Sequence, residues 1–213
     1  MKTDELINAL SADNAVQLSQ SEARNWTRGL AAGAAAAVLM VLMIVKARPD
    51  IGEAIHDPRF LFKFVAALAL AGPAAALAYR LSRPQSGPGP GLAMLVLAPA
   101  LLALGCGIDI ALTPASGWGA QATGNYPFYC LVCVPVFSLA PLTGIFLALS
   151  QGAPTHQRLA GFVGGLAAGG MGAAAYALHC TDDSPLFLAL WYSIAVTLVG
   201  ALGAWLGPRV LRW

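Results

Sequence analysis

Apolar positions in this chain fall in long unbroken runs, not in the alternation of a strand or the single stripe of a surface helix. Six runs stand out, over 29–45, 62–79, 91–112, 128–149, 159–178 and 186–206. Each approaches the ~20 residues that a helix needs to cross ~30 Å of hydrocarbon. The first run is short, and Trp26, an interfacial residue type, marks where its span begins. The pattern predicts an all-α, polytopic membrane bundle of six transmembrane helices. Pro73, Pro99, Pro135 and Pro141 lie inside the runs and predict kinks, which a packed membrane bundle tolerates. The small-residue tracts 161–170 and 200–207 predict faces where helices approach closely, because lipid supplies no hydrophobic drive between helices.

A polar segment, 1–25, precedes the first run. Thr3 or Asp4 can cap a short helix whose apolar positions are Leu6, Ile7 and Leu10, and Asp13 and Asn14 end it or start a second turn. Ala15, Val16 and Leu18 give a weaker second stripe. The segment cannot bury a core of its own. Its acidic residues Asp4, Glu5, Asp13 and Glu22 exclude a signal peptide. It reads as a tethered tail or as an amphipathic helix that docks into a partner's groove. The chain thus divides into the N-terminal segment 1–25 and a membrane domain 26–213.

Composition agrees. Of 213 residues, 58% are hydrophobic and only 10% charged, where a soluble domain carries about 25%. A net charge of +2 gives no reason to expect direct contact with nucleic acid. Lys and Arg set the orientation. One side of the membrane receives Lys2, Arg24, Arg28, Arg80, Arg83, Arg158, Arg209 and Arg212; the other receives Lys46, Arg48, Arg59 and Lys63. Eight against four predicts both termini in the cytoplasm. Lipid is then the chief partner of the outer helix faces.

This topology changes the meaning of the cysteines. Cys130, Cys133 and Cys180 fall at the outer face, with Cys106 in the outer half of the third span. The stretch His179-Cys180-Thr-Asp182-Asp183 gathers an imidazole, a thiol and two carboxylates within five residues. Cys180 closes the fifth span and Cys130 opens the fourth, so antiparallel packing of these helices would let the two thiols meet. Such a pair could bind a soft or borderline divalent ion, or form a disulfide. His179, Asp182 and Asp183 would then complete a mixed S/N/O set suited to zinc or cadmium. Two unrelated interfacial thiols are the plainer alternative. Cys130-Leu-Val-Cys133 has CxxC spacing, a weak signal without a second CxxC, and Cys133 and Cys106 read first as small packing residues. Asp109 sits near the end of an apolar run, close to the interface.

No nucleophile elbow, zinc-protease helix or phosphate-binding loop motif occurs, so nothing beyond the thiols points to an enzyme. Two other readings use the same residues. A metal or small-solute transporter would use Asp109, His179 and the thiols. A membrane thiol oxidoreductase would use Cys130 and Cys133.

Four stretches together resemble the NrsF family of six-span membrane anti-sigma factors, negative regulators of a sigma-F-type extracytoplasmic-function (ECF) sigma factor. They are Met1-Lys-Thr-Asp-Glu-Leu-Ile-Asn-Ala-Leu with Asp13; Cys130-Leu-Val-Cys-Val-Pro135 with Pro141; Gly152-Ala-Pro154 leading into Gly161; and Tyr176-Ala-Leu-His-Cys180-Thr-Asp-Asp with Trp191-Tyr192, Gly203 and Leu211-Arg-Trp213. The resemblance implies a regulator of the bacterial inner membrane, not an enzyme. Its cytoplasmic segment would hold the sigma factor through Asp4, Glu5, Leu6, Ile7, Leu10 and Asp13. Cys130 and Cys180 match the paired positions expected to sense stress, heavy-metal ions above all. Cys133 and Cys106 fall outside that pattern, as accessory thiols. No cofactor is obligatory; a transient zinc- or cadmium-type ion is the expected ligand.

Overall fold

The computed structural model describes residues 3–83, 89 and 91–212, with the side chains at 4 and 6–21 outside the description. The described residues contain no strand and six helices long and apolar enough to cross a membrane. They are α1 (Thr3–Ile44, apolar over Glu22–Ile44), α2 (Pro58–Leu81), α3 (Gly91–Leu112), α4 (Pro127–Leu149), α5 (Gln157–Tyr176) and α6 (Pro185–Val210). Several begin on signals that precede the apolar run. The Asp57 side chain accepts from the Arg59 N–H at 2.8 Å with Pro58 in the first turn, and Ser184 accepts from the Leu186 N–H at 3.2 Å with Pro185 in the first turn.

Two expectations need correction. The helix in the 1–25 segment neither ends at Asp13 and Asn14 nor starts anew there. The backbone is helical from Thr3 straight into the first span, so the boundary at 25/26 lies inside one helix of 42 residues. Asp and Asn in a helix interior cost only about 0.7 kcal/mol each, far less than Pro, so a helix once begun passes through them. Pro99 does not kink a helix interior. It stands in the first turn of Leu97–Leu112, after a turn at 95–96 that separates Gly91–Met94. There its missing N–H has no partner to lose. Pro73, Pro135 and Pro141 do lie inside helices.

The axle of the bundle is α5, which packs against α1, α2, α4 and α6. Of its apolar stretch 72% is buried, against 11% for α3, which lies at the periphery. Glycine makes this central position available. Gly161 of α5 and Gly203 of α6 face each other so closely that a Cβ on either would strike the other's carbonyl oxygen. Gly165 would meet the Val199 carbonyl oxygen at 2.5 Å. The seam of α1 on α4 follows the same rule: a Cβ on Gly29 would meet the Gly144 carbonyl oxygen at 2.7 Å, and one on Gly33 would meet Pro141 Cα at 2.6 Å. Backbone-to-backbone contact of this kind maximises dispersion where burial from lipid gains nothing.

Successive helices run in opposite directions. The ends of α1, α3 and α5 and the starts of α2, α4 and α6 therefore share one end of the bundle. That end carries Cys130, Cys180 and the buried charges.

Candidate functional site

Cys130 stands in the first turn of α4 and Cys180 follows the last turn of α5. The end of α5 is closed by Tyr176, whose carbonyl accepts from the N–H of His179 at 2.9 Å and of Cys180 at 3.1 Å. The helix stops there, and the thiol of Cys180 turns toward α4. The two sulfurs lie 4.0 Å apart in hydrogen-bond contact. Both residues are buried, Cys130 at 1% and Cys180 at 5% exposure. Phe137, Tyr176, Phe187 and Tyr192 belong to the apolar cluster around them. Tyr192 lies on a stretch of α6, Leu188–Tyr192, wound as a π-helix, a distortion that collects at functional sites.

Cys180 is not electrostatically neutral ground. The hydrogen bond from Cys130 holds its thiol below the ordinary value; burial opposes this, and the Lys63 ammonium helps it. A thiol so placed ionises more readily, and the thiolate is both nucleophile and metal ligand. Beside it an open cavity of about 560 Å³ is lined by Lys46, Arg48, Tyr126, Tyr129, Tyr176 and His179, with Cys180 in its wall.

The structure brings Cys130 and Cys180 together but does not add His179, Asp182 and Asp183 to them. Among the described residues no three His, Cys, Asp or Glu side chains are placed to hold one metal ion. The mixed S/N/O set expected from sequence is therefore not assembled, because each of its oxygen and nitrogen members is otherwise engaged. Asp183 pairs with Lys63 at 2.5 Å and with Arg48 at 2.8 Å. Asp182 accepts from the backbone and side-chain N–H groups of Asn125 at 3.2 and 3.0 Å. His179 Nδ1 meets the Lys46 carbonyl at 3.0 Å. The Asn125 contact depends on Gly124, at φ +61°, where a Cβ would press on Phe187 and Asp182.

The accessory thiols lie apart from the pair. Cys133, one turn deeper in α4, packs half-buried against the same apolar cluster. Cys106 donates to the Pro185 carbonyl at 3.4 Å. Asp109 is 2% exposed and takes Arg59 at 2.6 Å and the Ser184 hydroxyl at 3.0 Å, fastening α3 to α2 and to the start of α6. Of the predicted partner-binding residues, Glu5 is exposed; the side chains of Asp4, Leu6, Ile7, Leu10 and Asp13 lie outside the described residues.

Sequence reasoning missed Arg48 and Lys63, which it counted only as loop charges. Lys63 is in fact 1% exposed and lies inside α2. Its Nζ donates to the carbonyls of Cys180 at 2.8 Å and Asp182 at 3.2 Å. The signal was present, since Lys63 stands inside an apolar run and a charge there marks function by default.

A helical membrane bundle with a buried thiol pair at one end and a polar helical arm at the other has the build of a membrane-anchored regulator. The family model described as NrsF, negative regulator of sigma F, matches residues 10–213. The chain is 38% identical to the anti-sigma-F factor NrsF of Caulobacter vibrioides, over the whole of both chains. It is 32% identical to the probable anti-sigma-F factor NrsF of Azospira oryzae, again over the whole of both. No solved structure matches it. The chain therefore belongs to the NrsF family of negative regulators of sigma F, which are not enzymes.

Proposed function

We propose that this protein holds an ECF sigma factor at the bacterial inner membrane through residues 1–25. It releases the sigma factor when Cys130 and Cys180, at the outer face, take up a heavy-metal ion or are oxidised. The observation that carries this reading is the 4.0 Å contact between two buried thiols that are 50 residues apart in sequence. Two thiolates bound tetrahedrally to zinc at about 2.3 Å stand about 3.8 Å apart, so an ion of that class could bridge the pair with little movement. A disulfide of about 2.05 Å requires the sulfurs to close by roughly 2 Å. The mixed ligand set gives way to two protein sulfurs, with any remaining coordination positions left to water. Partner and class come from the relatives, which are named anti-sigma-F factors.

Full-length tagged protein drawn from unstressed native membranes in mild detergent should bring a sigma factor with it, and cadmium should abolish that retention. Absence of any sigma factor from the unstressed material sinks the proposal.

The orientation rests on the eight-to-four Lys and Arg count and is tested separately. Cys180 is too buried to serve as a label site, so exposed positions are needed. Thr181 lies beside the pair and Thr155 lies in the connection between α4 and α5. In a cysteine-free background, Thr181→Cys should react with an impermeant maleimide in spheroplasts, and Thr155→Cys only after the membrane is opened. The reverse pattern inverts the topology.

A further inference from the structure

We propose that Arg48, Lys63 and Asp183 form the joint that carries a change at Cys180 into α1, and so to the N-terminal segment at the other end of that helix. The proposal rests on reading the thiol pair as the sensor.

The segment bearing Cys180 is fastened less to its own helix than to its neighbours. Just past the end of α1 the chain turns through Lys46, at φ +65°, and then grips that segment at several points. The Arg48 N–H donates to the Leu178 carbonyl at 3.0 Å. The Arg48 guanidinium donates to both Asp183 oxygens, at 2.8 and 3.0 Å, and holds Asp50 with its other edge at 2.7 and 2.8 Å. The His179 ring meets the Lys46 carbonyl. From α2, Lys63 takes the carbonyls of Cys180 and Asp182 together with the Asp183 carboxylate. Cys180 is thus slung between the end of α1 and the interior of α2.

Arg48 and Lys63 are 7% and 1% exposed. Buried charges do not drift gradually from their partners, because an unpaired one is heavily penalised. When Cys180 is drawn toward Cys130, the carbonyls held by Lys63 and the carboxylate held by Arg48 must move with it, or the joint must break to a second arrangement. Either event displaces the end of α1. Such discrete alternatives are what couple two distant sites.

The rest of α1 permits the displacement to travel. Its contact with α4 includes the seam of Gly29 on Gly144 and Gly33 on Pro141, where backbone meets backbone, and Trp26, Ala37 and Val41 bury their side chains in the apolar clusters it shares with α4. The helix continues from there without a break to Thr3. A shift at Arg48 therefore reaches the N-terminal segment through one rigid element.

The test uses native membranes that retain the sigma factor, in a Cys106→Ser, Cys133→Ser background. Diamide supplies the oxidant: the thiol pair gives two electrons and two protons to its N=N bond, leaving a disulfide and a hydrazine. Disulfide yield is counted by maleimide mass tagging and sigma factor by its appearance in the soluble fraction. Arg48→Gln and Asp183→Asn should form the disulfide as the parent does, yet release about 5-fold less sigma factor or lower still. Asp183→Glu, which keeps the charge, should restore release.

Normal oxidation with normal release in Arg48→Gln and Asp183→Asn overturns the joint. So does a loss of release matched by an equal loss of disulfide, which reduces these residues to holders of the thiols. Should the two variants fail to accumulate, Arg48→Lys decides by the same comparison, because it keeps the charge but loses the fork that bridges Asp50 and Asp183. Undiminished release in Cys180→Ser is a different failure, that of the thiol reading itself.

Discussion

Cys130→Ser and Cys180→Ser, alone and combined, should keep the sigma factor bound but lose its release by cadmium, whereas Cys133→Ser responds as the parent does. The two sulfurs form one unit at 4.0 Å. Removing either leaves a single protein sulfur, since no His, Cys, Asp or Glu among the described residues is placed to complete a three-member site. Loss of a supporting outer-shell group commonly costs 10–100-fold in metal affinity, so loss of one of two direct ligands should reduce the response by at least about tenfold. The double variant should be no worse than either single one, because the pair is already broken. A regulon reporter read with and without cadmium makes the measurement. Cys130→Ala is a needed companion, as a serine hydroxyl in that apolar cluster lacks an assured partner. A full cadmium response in Cys180→Ser would end the shared-site idea, and a lost response in Cys133→Ser would move the site to Cys130-Leu-Val-Cys133.

The six spans were legible because hydrocarbon demands continuous apolar sequence whatever the packing. The run 62–79 became Pro58–Leu81, and 128–149 became Pro127–Leu149. The ends differ where capping groups such as Asp57 and Ser184 start a helix on polar residues. The meeting of Cys130 and Cys180 was legible too, since short connections force antiparallel neighbours and place both thiols at one end. What escaped was competition for the carboxylates. Asp183 beside a thiol reads equally as a metal ligand or as the partner of a cation, and only tertiary structure brings Lys63 and Arg48 to it. Burying Lys63 inside α2 needs an anion, and the sequence offers several without saying which. The run of α1 through Asp13 and Asn14 escaped for another reason: helix continuation there depends on neighbours on both sides, and local polarity says little about it.

Leu6→Asp or Leu10→Asp should free the sigma factor and switch its regulon on without any stress. The backbone is helical from Thr3, and at helical spacing positions 6, 7 and 10 of the sequence belong to one apolar face. Asp4, Glu5 and Asp13 lie next to these positions in sequence, and their charge is expected to meet basic residues of the partner. Burying one Leu side chain contributes about 1.5–3 kcal/mol, which converts to roughly 10- to 150-fold in affinity. An aspartate in its place also carries a charge that must be desolvated, so the loss should reach the upper end of that range. Leu6→Ile, which keeps the apolar volume, should repress as the parent does. The measurement is reporter activity in unstressed cells, normalised to the amount of the variant in the membrane. The membrane-spanning parts are untouched by these changes, so protein levels should stay normal and the effect should be visible with Cys130 and Cys180 intact. Unchanged repression by Leu6→Asp and Leu10→Asp at normal levels would show that this side of α1 does not carry the sigma factor.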